Sequence, residues 1–120
     1  MDAEAVVRAL CDAFPRQDVD ELLRFFTDDA VYEKIPVGRF AGHDEIRGTL
    51  ELFFGPEVQV AFEILNLGVS GDKVFVERLV HFETPKRKIS LPAMAIFEVT
   101  PAGKIVGWRD YFDRGQAGLS

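Results

Sequence analysis

Four residues carry groups from which a proton-moving site could be built: Asp110, Arg78, Tyr32 and Lys34. Asp110 stands in the run Lys104-Ile105-Val106-Gly107-Trp108-Arg109-Asp110-Tyr111-Phe112-Asp113. Strand side chains alternate faces, so Val106, Trp108, Asp110 and Phe112 are expected on one face. That face is apolar apart from the carboxylate, which is costly to bury unless something pairs with it or uses it. Arg78 lies on a separate predicted strand that a fold could bring beside it. A carboxylate held by arginine is a positioned base. The same pair can also be a buried salt bridge that fixes sheet geometry, although such a bridge is a costly route to stability. Tyr32 is a pocket hydroxyl or a core aromatic whose OH finds a partner. Lys34 shares its face by alternation. There it can pair with Asp110, stabilise an anion or act as an amine nucleophile, and its bland reading is a lysine snorkelling from a strand end. Together these groups can carry acid–base chemistry.

Such residues need elements to position them. Residues 3–14 read as a helix, because Val6, Val7, Leu10, Cys11 and Phe14 recur at spacings of three and four. Pro15 ends it. Asp18, three residues before Glu21, resembles a capping box, and Leu22, Leu23, Phe25 and Phe26 are expected on the apolar face of a second helix closed by Thr27-Asp28-Asp29. Residues 30–34 read as a short strand, and Pro36, Gly38 and Gly42 mark a loop. A third helix is expected from about His43 to Phe54, with Ile46, Leu50 and Phe53 on one face. Four strands follow, over 58–68, 73–83, 88–99 and 104–113, joined by turn-rich segments into an antiparallel meander. Helices followed by such a sheet make an α+β protein. In Ile89–Val99 both faces are apolar, Leu91, Ala93, Ala95 and Phe97 on one and Met94 and Ile96 on the other. Both are expected to be covered, and a homodimer through the outer sheet face is the simplest cover.

Length and composition set the bounds. The 120 residues make one domain, 1–120, large enough for a real core. Eleven Phe against two Tyr and one Trp suggest a core of plain aromatic rings. A net charge of −6 argues against nucleic acid and anionic lipid as partners. Cys11 is the single cysteine, so no internal disulfide is possible and no Cys/His cluster marks a metal site; a buried structural thiol is expected. No apolar run approaches the roughly eighteen residues of a membrane span. The N-terminus does not read as a signal peptide, so a cytoplasmic location is expected. His43 and His81 read as structural or exposed, and Lys86-Arg87-Lys88 as a solvated turn.

The order of elements resembles the SnoaL-like, or nuclear transport factor 2-like, superfamily across nearly the whole chain. The pieces are Leu22–Tyr32 (LLRFFTDDAVY), Phe40-Ala41-Gly42 leading to Ile46, and Gly103-Lys104-Ile105 leading to Trp108. Within it the chain is most similar to the limonene-1,2-epoxide hydrolase family, through Trp108-Arg109-Asp110-Tyr111-Phe112-Asp113, supported by Glu77-Arg78 and Leu91-Pro92-Ala93-Met94. The resemblance implies a conical, cystatin-like fold: three N-terminal helices on a curved, mixed but mainly antiparallel sheet, around an apolar pocket. It also implies one-step addition of water to an epoxide. Asp110 matches the carboxylate that takes a proton from water, Arg78 the arginine that bridges two carboxylates, and Tyr32 the tyrosine that holds the water. Two positions depart. Val80 stands where the second, proton-donating carboxylate is expected, and Lys34 where the family has asparagine. Ketosteroid isomerase is a cousin, but Ile35-Pro36 and Ala93–Ile96 stand around its base and acid.

Trp108, Phe82, Leu91, Ala93 and Phe112 match apolar pocket positions of the family, and Val80, Ile46 and Leu50 complete the expected lining. Three functions stay open. One is a cofactor-free enzyme acting on a small apolar molecule by epoxide hydrolysis, isomerisation or cyclisation, with Asp110 as base, Arg78 as orienter and Tyr32 with Lys34 as polar partners. Another is a binding protein of the same fold that lacks part of the catalytic set. A third is a dimerisation domain with a filled core.

Overall fold

A computed structural model describes residues 2–113 and 115–116. Helix α1 is Ala3–Ala13, followed by a 3-10 turn at Phe14–Arg16; α2 is Val19–Leu23; strands β1 and β2 are Phe26–Ile35 and Gly38–Ala41; α3 is Gly42–Phe53; and β3 to β6 are Gln59–Ser70, Lys73–Glu83, Lys88–Val99 and Ile105–Phe112. The six strands form one sheet in the order β2-β1-β6-β5-β4-β3. Every neighbouring pair is antiparallel except β1 with β6, which is parallel. The α+β class and the mixed, mainly antiparallel sheet are as expected. The helices are not all N-terminal, because the β1–β2 hairpin falls between α2 and α3.

The helices form where local signals agree. Asp2 caps α1 through a hydrogen bond from the Ala5 N–H at 2.8 Å. Asp18 caps α2 by accepting from the Glu21 N–H at 3.1 Å, while the Glu21 carboxylate turns away to Arg16 instead of closing the box. Helix α2 is shorter than the apolar pattern suggests. Phe25 and Phe26 leave it, and Phe26 opens β1 opposite Ile105 of β6. Pairing with another strand overrides the helical periodicity there. The segment after Pro36 is likewise not a loop throughout. Gly38–Ala41 pairs with β1, bringing Phe40 opposite Tyr32. Gly42 then turns the chain into α3 at φ +84°, a conformation that side chains with a Cβ rarely adopt.

The core lies on one face of the sheet. Val6, Val7, Leu10, Leu22, Ile46 and Leu50 from the helices meet Val74, Val76, Phe97 and Trp108 from the strands, all buried. One parity expectation fails. Ile105 is buried and Val106 only half-buried, because the ladder to β5 slips by one residue between the Glu98–Gly107 and Val99–Ile105 pairs. That bulge puts Ile105 on the same face as Trp108 and Asp110. On the opposite face Met94 and Tyr111 stand side by side and are 42% and 41% exposed. No described helix is long and apolar enough to cross a membrane.

Candidate active site

Asp110 and Arg78 are buried on the inner face of the sheet, the Asp110 side chain 7% and the Arg78 side chain 1% exposed. They come from strands that are not neighbours: β5 lies between β6 and β4, with Ala95 beside Asp110 and Ala93 beside Arg78. The two alanines leave room for the ion pair to close over β5. Arg78 Nη1 donates to Asp110 Oδ1 and Nη2 to Oδ2, both at 2.8 Å. This is the forked geometry in which guanidinium–carboxylate bonds are strongest. Burial by itself would lower the Arg78 pKa, but the Asp110 charge and hydrogen bonds more than offset it, and the net shift is upward.

Aromatic rings hold this pair in place. The Arg78 guanidinium lies 4.3 Å from the Phe62 ring centroid and 6.0 Å from that of Trp108. Tyr32 stacks on Trp108 at 4.0 Å between centroids and 9° between planes, and its hydroxyl donates to Asp110 Oδ2 over 3.4 Å. Burial raises the Tyr32 pKa well above its ordinary value, and the Asp110 charge adds to the rise. Tyr32 therefore acts as a neutral O–H donor. Arg78 Nε and Trp108 Nε1 are buried with no hydrogen-bond partner among the described residues.

These groups stand at one wall of a cavity of about 500 Å³. Of the expected lining, Val80, Phe82, Leu91, Ala93 and Phe112 face it, as do Tyr32, Lys34, Arg78 and Asp110. Trp108, Ile46 and Leu50 do not line it. They are at most 1% exposed and pack in the core behind the site, Trp108 beneath the Tyr32 ring. Their apolar character suits core and pocket equally, so the pattern could not separate the two. The sequence reading missed Phe40, Thr49, Leu52, Phe53 and Ile89 as lining residues. Phe53 was legible as part of the α3 face. Leu52 carried a signal too, being a leucine on the polar side of that helix, and it is 85% exposed.

Lys34 lies opposite Asp110 in the β1–β6 ladder and is half-buried. Its Nζ sits 4.9 Å from the Phe53 centroid, 5.6 Å from Tyr32 and 5.8 Å from Phe40. Burial lowers its pKa, with the Asp110 charge pulling the other way. Cys11 is buried and its thiol is pushed up to about 11 by burial, so it is no nucleophile at neutral pH. His81 turns to the outer face, bonded to Glu63 and Ser90, and His43 lies against the Phe26 carbonyl at the start of α3. Among the described residues no three His, Cys, Asp or Glu side chains converge to hold a metal ion.

Comparison with known proteins places this fold in a family. The SnoaL-like domain family matches residues 7–108. Epoxide hydrolase EphG of Mycobacterium tuberculosis is 31% identical over 109 residues, covering 89% of this chain and 70% of EphG. The structure of an M. tuberculosis LEH-like epoxide hydrolase superposes with a TM-score of 0.82 at 29% identity, covering 98% of this chain and 88% of that one. The epoxide hydrolase/cyclase-like enzyme SalBIII, from pyran ring formation in the polyether salinomycin, shares the fold with a TM-score of 0.84 at 22% identity over 95% of this chain and 92% of its own. The chain therefore belongs to the SnoaL-like domain family, on the epoxide hydrolase-like side of it.

Proposed function

We propose that this protein is a cofactor-free acid–base enzyme that acts on a small, largely apolar molecule held in the cavity, by epoxide opening or a related isomerisation or cyclisation. The observation that carries the reading is the Arg78–Asp110 pair, buried and bidentate, at the wall of an apolar cavity. A buried ion pair is an expensive structural device, and one set beside open apolar space fits a positioned base. Asp110 removes a proton from water, or from a ligand O–H or C–H, near the Tyr32 hydroxyl. Arg78 holds the carboxylate's plane. Tyr32 and Lys34 are the donors left for the oxygen that takes up negative charge. EphG and the LEH-like structure support the epoxide reading, and SalBIII's likeness extends to the fold.

A second reading rests on Val80. It lines the cavity two residues after Arg78, where a second carboxylate is expected, and valine donates no proton. On that reading the protein binds a small ligand without turning it over. The deciding assay is diol formation from a panel of terpene and cycloalkene epoxides, beside Asp110→Asn. Diol that vanishes in the variant supports the enzyme. No diol and no rearranged product, from protein that still binds a panel member, leaves the binding protein.

We further propose that the outer sheet face, with Met94 and Tyr111 exposed, is covered by a second copy of the chain. Light scattering should give twice the 13.5 kDa chain mass, and Met94→Lys should return it to one.

A further inference from the structure

The charges facing the cavity do not cancel. Arg78 and Asp110 satisfy each other, with both carboxylate oxygens taken up by the two guanidinium ends. Among the described residues the remaining charged group on the wall is Lys34, and the rest of the lining is apolar or hydroxyl-bearing. Among the described residues no carboxylate comes within ion-pair distance of Lys34 Nζ. Its near neighbours are the ring faces of Phe53, Tyr32 and Phe40. The described lining thus carries one net positive charge, inside a chain whose net charge is −6.

An ammonium among rings has lost water without gaining an ion-pair partner of its own; the Asp110 charge that acts on it is already paired to Arg78. Aromatic faces return part of that loss. Opposite charge returns more where the dielectric is low. A lysine that only snorkelled would carry its head out to solvent, away from the rings. Here the head is turned inward, over the rings and across the ladder from Asp110.

We propose that the cavity takes a molecule with an apolar body and a single carboxylate, the carboxylate seated on Lys34 Nζ and the body lying along Val80, Phe82, Ile89 and Leu91. The proposal rests on the reading of this cavity as the ligand site. It narrows the role of Lys34 given above, from meeting charge that develops to binding charge the ligand brings.

The test is a calorimetric titration of the full chain with decanoate and decanamide, which share a skeleton and differ in charge. The carboxylate should bind at least about tenfold more tightly at neutral pH. Lys34→Met should abolish that preference while still binding the amide, which shows that the cavity has survived. Lys34→Arg should keep it. Equal affinities, no measurable binding of either probe, or a preference that persists in Lys34→Met overturns the proposal. The titration involves no turnover and is independent of the epoxide assay: selective decanoate binding together with no diol and no rearranged product from the epoxide panel sinks the enzyme reading and leaves this one standing.

Discussion

Both ends of the Arg78 guanidinium reach the Asp110 carboxylate across an intervening strand, Nη1 to Oδ1 and Nη2 to Oδ2, each at 2.8 Å and both side chains out of solvent. Two consequences follow from where this pair sits. Its desolvation has a cost that hydrophobic residues of similar size would not have, and removing one partner strands the other.

Asp110→Ala should therefore destabilise the fold by about 3–5 kcal/mol, since it leaves Arg78 buried with no counter-charge. Joining it to Arg78→Met should restore most of that loss, because the buried charge goes as well. Urea denaturation of both variants checks this. A double variant as unstable as the single would mean that the pair holds the strands together by geometry rather than by balance of charge.

Tyr32 separates packing from polarity. Its ring stacks on Trp108, while its hydroxyl makes one long bond to Asp110. Tyr32→Phe should cost stability only about 1 kcal/mol, and Tyr32→Ala about 3–5 kcal/mol, as for other large-to-small aromatic changes. Thermal melts give both values. If the hydroxyl serves the reaction, Tyr32→Phe should slow turnover well beyond what its small loss of stability explains.

Val80→Asp puts a carboxylic acid on the cavity wall two residues after Arg78. On the enzyme reading it should raise epoxide hydrolysis, with a gain of at least about 10²-fold expected of a positioned acid. It should also lower stability, because the new group is buried. Initial rates of diol formation, compared with wild type at a temperature where both are folded, decide it. No gain from folded protein would mean that the leaving oxygen is already supplied with a proton, or that epoxides are the wrong substrates.

Cys11 sets a limit at alkaline pH. Its folded pKa is about 11 against an ordinary 9.0, so the folded state disfavours the thiolate. A raised folded value contributes stability that is complete below the unfolded pKa. Between 9.0 and about 11 the unfolded chain ionises first, and that stability, on the order of 2–3 kcal/mol, is lost. Urea midpoints should fall across that window in wild type and fall less in Cys11→Val. Iodoacetamide should label the native thiol far more slowly than the unfolded one at pH values below the window.

Much of this is legible in the sequence alone. The α1 face, the Asp18 cap and the four long strands follow from periods of 3.6 and 2.0 and from turn residues, which are local properties of the chain. The likeness in Trp108–Asp113 pointed to Asp110, and one apolar face holding one carboxylate made it the residue to explain. Local signals failed where a distant partner decided. Phe26 looked helical until Ile105 paired with it, and Gly38–Ala41 looked like a loop until β1 gave it a neighbour. The bulge that turns Ile105 inward is likewise a property of the β5–β6 ladder, not of either strand.

By itself the sequence determined the class of fold and the inventory of groups that can move a proton, because side-chain chemistry and face periodicity are written residue by residue. The tertiary structure decided which of those groups meet. Arg78 reaches over β5 to Asp110, Lys34 comes to lie opposite Asp110 because β1 runs parallel to β6, and Trp108 goes to the core while Phe82 and Leu91 face open space. Apolar residues are driven out of water in the same way whether they end in a packed core or on a cavity wall, so hydrophobic pattern could not divide them. Strand order, register and the fit of neighbouring rings made that division.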